Sequence, residues 1–80
     1  MKTSKEVDFC KKLFYTNGRN KIIELLDNSN LTEKEKLLLH SRYIEGLKIK
    51  EMCEKFHIEE EAYKKSQRRT LIKFYNFIQA

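Results

Sequence analysis

Eighty residues with no proline and only two glycines hold one small domain with a modest core, and leave no room for a separate substrate-binding lobe. Apolar residues make up 40% and charged residues 36%, too apolar for a disordered tail and too polar for a membrane protein, so a soluble globule is expected. A formal net charge of +5 and a pI of about 9.3 favour phosphate-rich partners through long-range attraction that salt screens.

No run of about 18 apolar residues occurs, and the opening MKTSKEVDFC lacks the apolar stretch of a signal peptide. No membrane partner is expected, and the cytoplasm is the expected location. The two cysteines, Cys10 and Cys53, are too few for a disulfide framework and are read as reduced thiols.

Hydrophobic periodicity is helical throughout, which predicts an all-α domain of about five helices. The first helix is expected to open at Thr3, which has capping-box spacing to Glu6, and to bury Val7, Cys10, Leu13 and Phe14. Asn17 and Gly18 are expected to close it in the left-handed conformation, after which NKIIELLDN forms a shorter helix broken by Asn28, Ser29 and Asn30. Thr32 and Glu35 form a second capping box, opening a helix with Leu37, Leu38 and Ile44 on a broad apolar stripe, and Gly46 stops it. Ile49, Met52, Cys53 and Phe56 then recur at i, i+3, i+4 and i+7, the pattern of a short amphipathic helix ending at His57. The last helix is expected from about Glu59 to Phe77, with Tyr63, Ser66, Thr70, Phe74 and Phe77 inward. Two helices joined by a tight turn, the second longer and basic, have helix-turn-helix organisation.

The stretch LTEKEKLLLHSRYIEGLKIKEMCEKFHIEEEAYKKSQRRTLIKF resembles region four of bacterial sigma factors, the part of that family that reads the −35 promoter element. The resemblance is carried by Leu31, Thr32 and Glu35 at the opening, Arg42 with Tyr43, Glu45 with Gly46, the run Glu51, Met52, Cys53, and the closing Arg69, Leu71, Lys73. It covers about residues 22–74, so 20–77 is taken as the helix-turn-helix unit of a single domain spanning 1–80, with 1–18 an additional helix. The fillings depart from the family: Cys53 stands for a small residue, His57 for a frequent glycine, Tyr63 for a small aliphatic and Ser66 for an aliphatic. His is enriched among non-glycine residues at positive φ, which makes His57 tolerable in the turn. An 80-residue chain has no space for the domain with which a complete sigma factor grips polymerase, so the resemblance is to small stand-alone regulators of phages and mobile elements.

On the final helix Glu61, Lys64, Lys65 and Arg68 fall within an arc of roughly 100°, opposite Tyr63, Thr70 and Phe74. In helix-turn-helix docking the first residues of the second helix meet base edges and later ones meet phosphate. The resemblance implies base contact by Glu61, and a glutamate there accepts from the N4 amino group of cytosine. It also implies phosphate contacts from Lys34, Arg42 and Lys48, with Arg42 equally readable as a structural ion-pair partner; Arg69 adds to the basic face. A competing account needs no ligand: Glu60 with Lys64 and Glu61 with Lys65 are favourable i,i+4 pairs, and acids in a first turn complement the helix dipole.

Other constellations are weak. Cys53 and His57 supply only two metal ligands, His40 is a boundary residue, and no nucleophile-base pair, phosphate loop or carboxylate cluster is present, so neither cofactor, metal nor catalysis is expected. The leading expectation is a transcription regulator binding double-stranded DNA through the major groove. The alternative is a protein-binding module that docks on RNA polymerase or an activator without reading DNA. Phe9, Leu13, Phe14 and Tyr15 exceed what a small core covers, which raises a homodimer through the N-terminal helix.

Overall fold

A computed structural model describes residues 4–80. The described residues form an all-α domain of α1 (Lys5–Thr16), α2 (Arg19–Asn28), α3 (Glu33–Leu39), α4 (Ile49–Phe56) and α5 (Glu60–Gln79), with a π-helical turn at His40–Ile44 continuing α3. The expected cap at Thr3 lies outside the described residues; the observed cap of α1 is Ser4, whose Oγ accepts from the Val7 amide at 3.2 Å. The link between α1 and α2 differs from expectation. Asn17 (φ −109°) and Gly18 (φ −70°) are both extended, because the Asn17 side chain and amide each donate to the Leu13 carbonyl and close the helix without a left-handed residue.

The Thr32–Glu35 capping box forms as its spacing demands: the Glu35 amide donates to Thr32 Oγ1 at 3.2 Å, and the Thr32 amide to Glu35 Oε1 at 2.9 Å. Gly46 does end this helical stretch, at φ 77°, but the regular α-helix gives way earlier. From His40 the ladder widens, with the Glu45 amide donating to the His40 carbonyl, and the Leu47 amide reaches back to Ser41. At the other end of the chain α5 runs two residues past Phe77, to Gln79, with Glu59 as its N-cap.

Two apolar clusters hold these elements. Val7, Cys10, Ile22, Leu26, Leu31, Leu39, Leu71 and Phe74 form one, and Leu38, Met52 and Tyr63 centre the other, flanked by Leu47, Ile49, Cys53, Phe56 and Ile58. The adjacent residues Leu38 and Leu39 thus enter different clusters, and α5 contributes to both. Of the residues expected inward on α5, Tyr63, Thr70 and Phe74 are buried while Ser66 and Phe77 are half-buried. Leu71, not expected there, is fully buried because α1 packs over that side of α5. The Cys10 thiol donates to the Leu71 carbonyl at 3.3 Å, and burial pushes its pKa up to about 11. Leu37, expected on the stripe, stays 44% exposed.

The α3 cap is also tied to α5, since Lys73 Nζ lies 3.0 Å from Glu35 Oε1. The Thr32 backbone donor holds the Glu35 carboxyl below its ordinary value of 4.5; partial burial opposes this and Lys73 reinforces it. A depressed carboxyl stabilises the fold above its unfolded pKa, and that contribution is lost as pH falls through its folded value. Thr32→Ala should lower unfolding free energy by about 1 kcal/mol in a urea titration at neutral pH. Glu35→Gln should flatten the acid limb of the stability profile below the ordinary value of 4.5.

Candidate nucleic-acid interface

The turn between α4 and α5 is built by His57. At φ 55° and ψ 46° it occupies the left-handed region, and the Ile58 amide donates to the Cys53 carbonyl at 3.1 Å while the His57 amide donates to Glu54 at 3.4 Å. These are the two closures of a Schellman ending, with Ile58 and Cys53 both packed on the second cluster. The chain therefore leaves α4 sharply and enters α5 three residues later. At the other end of α4, the Lys48 amide donates to Glu51 Oε1 at 2.8 Å, and Lys48 itself is exposed.

What fixes α5 against α4 is Tyr63. Its side chain is fully buried with Met52 and Leu38, so the first two turns of α5 cannot rotate without opening the second cluster. That rotation sets the outward face, where Glu61, Lys64, Lys65, Arg68 and Arg69 are all exposed. One of the two expected i,i+4 pairs forms: Lys64 Nζ lies 3.0 Å from Glu60 Oε2, with both side chains largely solvated. Glu61, Lys65, Arg68 and Arg69 make no ion pair among the described residues. Solvated pairs such as Glu60–Lys64 are worth at most about 1 kcal/mol, so Lys64 is easily released.

The remaining candidates separate. Lys34, in the first turn of α3, is exposed and faces Arg69 across a groove of about 240 Å³ lined also by Thr32, Glu35, Leu38, Ser66 and Thr70. The sequence marks both Lys34 and Arg69 as candidates but carries no signal that they share a groove, because the juxtaposition depends on how α3 crosses α5. Arg42 lies elsewhere and is half-buried. Its Nη1 donates to the Leu47 carbonyl at 2.8 Å and its guanidinium lies 5.8 Å from the Tyr43 ring centroid, so it secures the chain just after Gly46. Lys55 does similar work nearby, with Nζ 2.9 Å from Ser41 Oγ and 3.6 Å from Glu45 Oε1; Glu45 also reaches His40 at 3.2 Å. Among the described residues no cluster of His, Cys, Asp and Glu could hold a metal ion, and no helix is long and apolar enough to cross a membrane.

Comparison with protein-family models, with curated proteins and with solved structures finds no match in any of the three.

The Tyr63 hydroxyl is a buried polar atom with no hydrogen-bond partner among the described residues. Burial pushes its pKa up to about 12, while the neighbouring Arg42 guanidinium opposes the shift without reaching hydrogen-bond geometry. A raised phenol pKa means stability is complete below the unfolded value of 10.0 and falls as pH rises from there towards about 12. Tyr63→Phe removes an unsatisfied hydroxyl and keeps the ring. It should raise unfolding free energy by about 1 kcal/mol at neutral pH and shrink the alkaline loss, both read from urea titrations across pH.

Proposed function

We propose that this chain is a DNA-binding transcription regulator that places the N-terminal half of α5 in the major groove. The observation that carries the reading is the Schellman turn at His57 together with the buried Tyr63, which present one exposed face of α5 bearing Glu61, Lys65, Arg68 and Arg69. In this reading Glu61, Lys64 and Lys65 meet base edges, with Glu61 accepting from amino groups such as cytosine N4. Arg68, Arg69, Lys34 and Lys48 meet phosphate. The sigma-like pattern of residues 22–74 supports the same assignment, and a net charge of +5 gives the electrostatic attraction that such binding needs.

A second reading has its own observation. A groove of about 260 Å³ between α2 and the α3 stretch has Ile23, Leu26 and the exposed Leu37 as its apolar wall, with Lys36 paired to Glu33, His40 paired to Glu45, and Asp27 around it. It suits docking on a protein such as RNA polymerase or an activator, and the acids Glu59 and Glu60 at the start of α5 repel phosphate. One anisotropy experiment separates the two. With a pool of short duplexes at several salt concentrations, wild type should bind with a steep salt dependence. Lys64→Ala and Arg68→Ala should each weaken binding, and in Arg68→Ala, which leaves a phosphate without its cation, the log-log slope should flatten by about 0.9. An unchanged affinity and slope in Arg68→Ala, or no duplex binding at low salt, would defeat the DNA reading and favour the protein-docking one.

A further inference from the structure

Gln67 stands on the inward side of α5, one turn from Tyr63 and one turn from Leu71, where the helix passes from one apolar cluster to the other. The nearby Thr70 hydroxyl is satisfied within its own helix by the Ser66 carbonyl. Gln67 instead reaches out of α5, and its Nε2 donates to the Tyr43 hydroxyl at 2.6 Å, with both residues half-buried. An apolar side chain at position 67 would join the two clusters and add buried surface. Polar residues at such apolar seams lower stability and specify register.

The bond closes a ring of contacts. Phe14 of α1 stacks on the Tyr43 ring, with centroids 4.5 Å apart, and on the Phe74 ring, with centroids 5.8 Å apart. From Phe74 the contacts run through Phe14 and Tyr43 and return to α5 at Gln67, about two turns earlier on the same helix. One aromatic stack thus holds α5 at two points, and its middle ring comes from a helix outside the sigma-like pattern. Burial raises the Tyr43 pKa and the Gln67 donor opposes the rise, so the hydroxyl accepts this bond in partly desolvated surroundings, where it is stronger than in water.

We infer, resting on the DNA-binding reading, that Gln67 and Tyr43 are positioning residues: supported by Phe14, their hydrogen bond selects the orientation of α5 in which Glu61, Lys64 and Lys65 meet base edges. Apolar packing is non-directional, so two clusters without the polar pair hold the helix as firmly in a slightly different packing. A hydrogen bond has a preferred length and angle, and it selects one of these packings. Base reading has little tolerance for the difference. Side-chain tips stand about 5–6 Å from a helix axis, so a turn of about 10° displaces them by about 1 Å. Such a shift breaks a hydrogen bond to a base edge, which needs about 2.7–3.2 Å. Attraction between a cation and phosphate falls gradually with distance and largely survives it.

The test uses duplexes that full-length wild type selects from a random pool, and the same duplexes with one base pair changed. Wild type, Tyr43→Phe and the double variant Tyr43→Phe, Gln67→Leu are titrated with both at several salt concentrations, and urea titrations give their stabilities. The double variant removes donor and acceptor together, so its urea midpoint should equal or exceed that of wild type. Its discrimination against the changed base pair should fall at least about fivefold, the lower limit for one bidentate base contact. Its log-log salt slope should match wild type, because no cation is removed. Tyr43→Phe keeps the ring and its stack, should lose discrimination in the same direction, and decides the matter if the double variant does not fold. Unchanged discrimination in the variants overturns the inference and leaves the DNA reading intact. Discrimination that falls only in step with stability makes the pair merely structural and also overturns it. Wild type without salt-sensitive duplex binding overturns the DNA reading and the inference with it.

Discussion

The packing of one long helix against two separate apolar clusters is the constraint on which the rest of this domain depends. α5 sends Tyr63 into a cluster shared with α4 and sends Leu71 and Phe74 into a cluster shared with α1, α2 and α3. Neither cluster alone orients the helix. Together they fix its rotation, because burying a side chain at each end of a rigid rod leaves no freedom to turn about its axis. Which charges face outward on α5 follows from that lock.

The stretch from α3 to α4 is built to keep the lock closed. Leu38 and Leu39 are consecutive and feed opposite clusters, which a regular helix tolerates only with the two clusters on neighbouring sides. Immediately afterwards the backbone widens into a π turn, and Arg42, Lys55 and Glu45 pin the loop by hydrogen bonds and ion pairs. π turns of this kind frequently occur at functional sites. Here the turn precedes the Gly46 reversal that delivers α4 to α5. At the opening of α3, Glu35 serves both its own capping box and Lys73 of α5, so one carboxylate joins local helix initiation to the tertiary fold.

The acidic start of α5 acquires meaning from this arrangement. Glu60 engages Lys64, whereas Glu61 makes no ion pair among the described residues and is exposed on the same face as Lys65 and Arg68. A carboxylate can only accept, so in the proposed DNA-binding mode Glu61 rewards base amino groups and repels phosphate, which suits selective rather than indiscriminate binding. In that proposed mode the positive charge comes from farther along α5 and from Lys34 and Arg69, which line one groove.

Local chemistry was legible in the sequence because it acts over a few residues. The Thr32–Glu35 box, the breaks at Asn28 to Asn30 and at Gly46, the left-handed His57, and the burial of Met52, Tyr63 and Phe74 all follow from short-range hydrogen bonding or from helical period. Asn17 and Gly18 carry the same short-range signal and still adopt extended conformations, since a side-chain amide closed the helix in place of a backbone reversal. Tertiary structure alone decided that Leu71 is buried and Leu37 is not, because both have the helical spacing of core residues and only the position of α1 and the edge of α2 distinguishes them. It also decided that Lys34 and Arg69 line one groove, that Arg42 turns to the Leu47 carbonyl, and that Phe14 of α1 stacks on Tyr43. Periodicity gives each helix an inward face but carries nothing about which helix will cover it, and that pairing is what assembles a candidate site from residues far apart in the chain.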